Sequence, residues 1–122
     1  RKYIPLATEL ELRVFVNKSE ISAISQYYSS CKVPWFHKNK EMVKTDVFKI
    51  VQEIIPIIDL ESFVVDFAYD LNGKLWIVEI NLPPPLAGMS MFDKHNPQDL
   101  KIVKGEAPFE FRLCPIIDDS SK

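Results

Sequence analysis

The sequence is 122 residues long, 47% hydrophobic and nearly balanced in charge, with a formal net charge of −2 at pH 7. This length predicts one domain, because it is long enough to bury a core and too short for two ordinary domains. The charge balance argues against nucleic acid as a partner, and no stretch approaches the roughly 18 consecutive apolar residues of a membrane span. Two cysteines, Cys31 and Cys114, lie far apart without a CxxC spacing, which favours free thiols in a cytosolic protein.

The first predicted element is a β-hairpin. Apolar residues recur at every second position over residues 10–16, which is typical of a half-buried strand, and the polar residues 17–20 turn the chain into a second strand at residues 21–28. Arg13 is predicted on the face away from the core. Its guanidinium can there reach a phosphate or a neighbouring carboxylate.

An amphipathic helix is predicted next, over residues 40–55. Its apolar residues fall on one stripe and its charged residues fall outside that stripe, and Pro56 ends or kinks it. Trp35 and Phe36, in the loop before it, are expected to pack beneath the helix rather than to bind a ligand. The stripe consists of Val43, Val47, Ile50, Val51, Ile54 and Ile58.

Residues 63–81 have the pattern of a second β-hairpin, which carries the best candidate site. Its predicted turn is Asn72-Gly73, a pair that tolerates the positive φ angles of a type I′ turn. Counting outward from a two-residue turn places Asp66 directly opposite Glu79. Side chains alternate between the faces of a strand, so the face of the two carboxylates also receives Val64, Ala68, Ile77 and Asn81. The other face is predicted to be core and receives Phe63, Val65, Phe67, Tyr69, Trp76, Val78 and Ile80.

Two opposed carboxylates, with Cβ atoms about 5 Å apart, destabilise a sheet unless a cation lies between them. Asp66, Glu79 and Asn81 offer only oxygen ligands, which suit Mg²⁺ completed by waters and nucleotide phosphates. The alternative is a solvated sheet face on which one carboxylate is protonated or paired with a lysine. The apolar neighbours on the same face favour a site. Replacing Asp66 or Glu79 is therefore expected to abolish metal binding and to leave the fold intact or more stable.

One strand carries an acidic residue, and thirteen residues later its partner strand carries Glu-x-Asn. This arrangement resembles the metal-binding end of the ATP-grasp fold. Further segments at residues 1–4, 11–16, 21–28 and 109–113 follow in an order similar to that of the cell division cycle protein 123 family. That family is an ATP-grasp branch of assembly factors for eukaryotic translation initiation factor 2. It commonly has Asp where Glu79 stands, and Glu is the general ATP-grasp choice.

The resemblance implies a function and a set of binding residues. It implies an ATP·Mg²⁺-binding assembly factor that acts on a subunit of translation initiation factor 2 in the cytoplasm. Asp66, Glu79 and Asn81 would hold the metal. Lys2, Tyr3 and Arg13 would contact ATP. The chain would form the C-terminal lobe, with a glycine-rich loop and a phosphate-binding lysine in a lobe that precedes Arg1.

Two other functions stay open. One is an ATP-grasp ligase, which would use the same site residues to activate a carboxylate as an acyl phosphate for attack by an amine. The other is a fragment used only for protein contact. Whether the protein is an enzyme is therefore undecided by its sequence.

The predicted fold is α+β. Two β-hairpins and a late edge strand at residues 109–113 form an antiparallel sheet, and the amphipathic helix covers it. Residues 82–92 and the late strand are expected beside the nucleotide or on the side that faces the partner. The prolines at residues 83–85 are expected to rigidify the loop that holds Asn81, the alternative being a ligand for an aromatic-lined groove.

Overall fold

Five β-strands and three α-helices make up the part of the chain that this computed structural model describes, residues 6–28, 32–84 and 87–115. The α+β class and the three central predictions, the first hairpin, the long helix and the second hairpin, are confirmed. Within these ranges, no helix is both long and apolar enough to cross a membrane. The strands are β1 (Leu6–Asn17), β2 (Glu20–Gln26), β3 (Phe63–Asp70), β4 (Leu75–Asn81) and β5 (Glu110–Arg112), and the helices are α1 (Pro34–Lys38), α2 (Lys40–Ile54) and α3 (Pro97–Val103).

All five strands form one sheet in the order β4-β3-β1-β2-β5. The first four strands pair antiparallel, but β5 pairs parallel with β2, so the prediction of a wholly antiparallel sheet is wrong. The reason is topological. Because β4 runs opposite to β2, the chain leaves β4 at the end of the sheet where β2 begins. It then crosses one face through α3 and enters β5 in the direction of β2.

Each face of the sheet has its own hydrophobic cluster. On the first face, α2 contributes Val43, Val47 and Val51, each at most 1% exposed, as the apolar stripe predicts. Phe36 on α1 is buried in the same cluster, and the ring of Trp35 lies edge-on to Tyr69 with centroids 4.9 Å apart. The prediction that these two aromatics pack beneath the helix is confirmed, because the same cluster contains the apolar stripe of α2. The second cluster joins the sheet to the segment after β4 and consists of Phe15, Ala23, Val64, Ala87, Met89, Phe92, Ile102 and Val103.

The β3–β4 hairpin closes with a three-residue loop, residues 71–73, so the predicted two-residue turn is wrong. The N–H of Asp70 donates to the carbonyl of Lys74 at 2.8 Å, and the N–H of Gly73 donates to the carbonyl of Asp70 at 3.1 Å. The Oδ1 atom of Asp70 also accepts from the N–H groups of Asn72 and Lys74, at 2.8 and 2.9 Å. These bonds fix the loop, and Gly73 supplies the left-handed φ of +83° that closes it.

A β-bulge cancels the register shift that this loop introduces. Near the loop, Phe67 pairs with Ile77, one position away from the predicted register. The register then shifts between Asp66 and Phe67, which leaves Val78 unpaired. Beyond the bulge, Asp66 pairs with Glu79 as predicted.

The altered register exchanges two side chains between the faces of the hairpin. Trp76 pairs with Ala68 and therefore lies on the carboxylate face, where its Nε1 donates to Asp70 Oδ2 at 2.8 Å. Ile77 pairs with Phe67 and lies on the core face. The faces predicted for Trp76 and Ile77 are therefore both wrong. Val78 and Ile80, also predicted as core, are 44% and 40% exposed because β4 is an edge strand.

Candidate functional site

Arg13, Asp66 and Glu79 form a row across three adjacent strands. Arg13 on β1 pairs with Asp66 on β3, and Asp66 pairs with Glu79 on β4. The predicted opposition of the two carboxylates is therefore confirmed. Arg13 also lies on the face away from the α2 cluster, as the alternation in β1 predicts.

Arg13 and Asp66 form a bidentate ion pair. Arg13 Nε donates to Asp66 Oδ1 and Nη2 donates to Oδ2, both at 2.8 Å. The two residues are 8% and 3% exposed. The third guanidinium nitrogen, Nη1, donates to the carbonyl of Gly88 at 2.9 Å, and the ring of Tyr27 lies 5.0 Å from Arg13 Cζ. The sequence leaves two roles open for Arg13, contact with a phosphate and contact with a neighbouring carboxylate. The structure contains the contact with a carboxylate.

Asn81 completes the contacts of Asp66. Its Nδ2 donates to Asp66 Oδ2 at 3.2 Å, so Asp66 accepts three side-chain hydrogen bonds from the described residues. A carboxylate has about four lone-pair positions, which leaves about one for a further ligand. The amide oxygen of Asn81 takes no part in this contact. Glu79 is exposed and forms no ion pair within the described ranges.

The site carries more negative than positive charge. Glu11, two positions from Arg13 on the same strand, is the third carboxylate beside the guanidinium. Burial raises the pKa of Glu11, the nearby Asp66 carboxylate raises it further, and Arg13 opposes the change. Hydrogen bonding to Asp66 raises the pKa of Arg13, so the guanidinium stays charged. One fixed cation therefore faces three carboxyl groups.

The structure brings together four of the six predicted site residues, Arg13, Asp66, Glu79 and Asn81. The other two, Lys2 and Tyr3, lie outside the described residues. Sequence reasoning missed Glu11 and Gly88. The position of Glu11 two residues before Arg13 was a usable signal, since alternate residues of a strand share a face. No local sequence pattern predicts the contact of Gly88 with Arg13, because the two residues are 75 positions apart in the chain.

The oxygen atoms of this site suit a hard cation but form an incomplete ligand set. In the described part of the chain there is no group of three or more His, Cys, Asp or Glu side chains arranged to hold a metal ion. Two carboxylates and an amide are nevertheless compatible with Mg²⁺, which keeps several waters and takes phosphate oxygens. Arg13 limits Asp66 to a single metal contact. The residues therefore fit Mg²⁺ only when other oxygen ligands complete the shell.

Comparison with known proteins decides the family. The D123 family model matches residues 1–120. The chain belongs to the D123 family. This confirms the membership that the order of the sequence segments predicted. No curated protein matches the D123 chain significantly.

Two of the solved structures that match this chain share its fold. Cdc123 from Schizosaccharomyces pombe has a TM-score of 0.76 and 20% sequence identity, and the match covers 95% of this chain and 45% of that one. A C-terminally truncated Cdc123 from the same organism has the same TM-score and identity, and the match covers 95% of this chain and 44% of that one. The D123 chain thus spans less than half the length of both. At this identity the likeness concerns the fold.

Proposed function

We propose that the protein binds ATP with Mg²⁺ and acts as a cytoplasmic assembly factor for eukaryotic translation initiation factor 2. The observation that carries the proposal is the convergence of Asp66, Glu79 and Asn81 on one sheet face in a member of the D123 family. The sheet would be the C-terminal lobe of an ATP-grasp fold. The longer Cdc123 relatives, of which this chain spans 45% and 44%, have room for a second lobe.

In this proposal Glu79, Asn81 and Asp66 hold Mg²⁺ through oxygen atoms. When bound, the ion supplies charge that neutralises nucleotide phosphates. Glu79 is free to turn towards a ligand because it is exposed on the edge strand. Asn81 keeps its amide oxygen for the metal while its Nδ2 holds Asp66.

Arg13 is the phosphate-binding residue in this proposal. A guanidinium has five N–H donors. Among the described residues, Asp66 and Gly88 occupy three of those of Arg13, which leaves two for phosphate oxygens. Asp66 fixes the plane of the guanidinium and keeps it charged. The arrangement therefore presents a positioned cation beside the oxygen ligands without a large side-chain rearrangement.

Calorimetric titration of ATP with Mg²⁺ into the intact protein tests the site. Glu79→Gln keeps the size of the side chain, removes its charge and is expected to weaken nucleotide binding at least about tenfold. Glu53→Gln is the matched control, because Glu53 is exposed on α2 away from the site. Equal affinities of Glu79→Gln and wild type would contradict the proposed metal site.

A second experiment separates the assembly role from the ligase alternative. Wild type and Glu79→Gln are each used to capture translation initiation factor 2, and phosphate release is measured with candidate amino-acid or peptide acceptors. The assembly role predicts nucleotide-dependent capture that Glu79→Gln loses. Acceptor-stimulated phosphate release without capture would assign the protein to the ligases instead.

A further inference from the structure

A cavity of about 480 Å³ lies between α3 and the segment that follows β4. Its apolar wall includes Met89, Phe92 and Leu100, of which Met89 and Phe92 belong to the second hydrophobic cluster. A cavity of this size is in the range of pockets that bind small ligands, about 300–1,000 Å³, and therefore has room for one large apolar side chain. It is outside the row of Arg13, Asp66 and Glu79, and none of these three residues lines it.

The ionisable residues that line this cavity are all basic. They are Lys94, His95 and Lys104, in a chain that has 17 acidic residues against 15 Lys and Arg. All three are exposed, and none forms an ion pair within residues 6–28, 32–84 and 87–115. An apolar wall with a cationic rim therefore faces solvent on a protein that is otherwise slightly acidic.

The acidic side chains nearest in sequence, Asp93, Asp99 and Glu106, form no ion pair with the lysines of the cavity. Both carboxylate oxygens of Asp99 accept from Arg112, at 2.7 and 2.9 Å. Asp93 Oδ1 accepts from the backbone N–H of His95 at 2.8 Å, which shapes the loop. Lys94 and Lys104 therefore have no ion-pair partner among the described residues and are available to an external anion.

The cavity adjoins the proposed nucleotide site through one residue. Gly88 lines the cavity, and its carbonyl accepts the hydrogen bond from Arg13 Nη1 at 2.9 Å. The same backbone segment therefore forms a wall of the cavity and positions the guanidinium. A ligand in the cavity contacts the segment that holds Arg13.

We propose that this cavity docks an acidic peptide segment of a partner protein, with a large apolar side chain in the cavity and flanking carboxylates on Lys94 and Lys104. The lysines lie at the exposed rim, so their charges match carboxylates spaced along a chain that extends beyond the cavity. The apolar wall matches a Leu or Phe side chain. The inference rests on the proposed function, because it names the docking site of the partner that an assembly factor requires.

A fluorescent peptide provides the direct test. The probe is fluorescein-labelled Glu-Glu-Leu-Phe-Asp-Glu, titrated with the intact protein and followed by anisotropy. Lys94→Gln and Lys104→Gln are each expected to weaken binding at least about threefold. Lys101→Gln is the matched control, since Lys101 is exposed on the same helix as Leu100 and does not line the cavity, and it is expected to change the affinity less than about 1.5-fold.

Two further peptides test the two parts of the ligand without altering the protein. Glu-Glu-Ser-Ser-Asp-Glu lacks the apolar anchor, and Lys-Lys-Leu-Phe-Lys-Lys reverses the charge. Both are expected to bind at least about tenfold more weakly than the probe. Absence of probe binding, equal binding of the serine peptide, or equal weakening by Lys101→Gln would each overturn the proposal.

ATP·Mg²⁺ titrations of the same variants keep this inference separate from the proposed function. Lys94→Gln is expected to lose peptide affinity and to keep nucleotide affinity. If the wild-type protein binds the probe at the lysine rim but does not bind ATP, the nucleotide role is contradicted and the peptide site is still supported. A protein that binds ATP but not the probe would remove the peptide site alone.

Discussion

Arg13 lies directly opposite Asp66 in the β1–β3 ladder, and both oxygens of the Asp66 carboxylate accept from its guanidinium at 2.8 Å. This pairing changes what removal of Asp66 does to the protein. If Glu79 were the only charged neighbour of Asp66, removal of Asp66 would relieve a repulsion. Because Arg13 is paired with Asp66, removal of Asp66 instead leaves a buried cation without a counter-ion.

We therefore expect Asp66→Asn to lower the free energy of unfolding by about 3–5 kcal/mol, because breaking a buried ion pair leaves an uncompensated charge. This is opposite to the neutral or stabilising effect expected from sequence. Urea unfolding followed by circular dichroism measures the change. The double variant Arg13→Met with Asp66→Leu is expected to lose less than Asp66→Asn. A stable Asp66→Asn protein would contradict the structural role of the pair.

Glu79→Gln is expected to have a different signature, with weaker nucleotide binding and an almost unchanged fold. Glu79 is exposed on β4, so its neutralisation relieves repulsion with Asp66 and changes the free energy of unfolding by less than about 1 kcal/mol. Urea unfolding and calorimetric ATP titration of the same sample measure both quantities. A large loss of stability would mean that Glu79 has a structural contact comparable to that of Asp66.

The contact between Arg112 and Asp99 predicts a pH-dependent stability. Hydrogen bonds from Arg112 hold the pKa of Asp99 below its usual range. A carboxyl whose pKa is lowered by folding stabilises the protein above its unfolded pKa of about 3.9, and the contribution disappears as the pH falls through the folded pKa. Arg112→Met is thus expected to cost about 1.5–3 kcal/mol at pH 7. Urea unfolding should show the difference from wild type shrinking below about pH 4, and a constant difference would contradict the assignment.

Gly73→Ala tests the observed three-residue loop. Gly73 has a φ of +83°, and no other heavy atom lies within 4 Å of the position where a Cβ would be added. The cost is therefore one of backbone conformation alone, about 1–2 kcal/mol. Thermal unfolding measures it, and Leu71→Ala in the same loop is the control for loss of an exposed side chain, because Leu71 is 73% exposed. An unchanged stability in Gly73→Ala would contradict the left-handed conformation.

The parts of the fold that depend on local pattern could be predicted from sequence. The alternation in β1 placed Arg13 on the correct face, and the apolar stripe defined α2. The loop at residues 71–73 was predictable in principle, because Asp at the first position and Gly at the fourth position of residues 70–73 is typical of a type I turn. The Asn72-Gly73 pair fits a two-residue type I′ turn as well, so the two local patterns compete at this loop.

The remaining differences depend on contacts between distant parts of the chain. No periodicity indicates that β5 runs parallel to β2, since that direction follows from the path of the chain after β4. The bulge at Val78 restores the pairing of Asp66 with Glu79, so the observed pairing agrees with the predicted one although the turn differs. The Gly88 contact of Arg13 arises from the tertiary position of the segment after β4.

The order of the strands divides the candidate site into two regions of different local stability. Arg13 is on the central strand and Asp66 is on an interior strand, whereas Glu79 and Asn81 are on the edge strand β4. Edge strands exchange their amide hydrogens through local opening, while central strands exchange by opening of larger units. Separation of β4 from β3 would therefore withdraw Glu79 and Asn81 from a ligand while Arg13 and Asp66 stay paired. Ligand release could then occur by fraying of one strand, without unfolding of the domain.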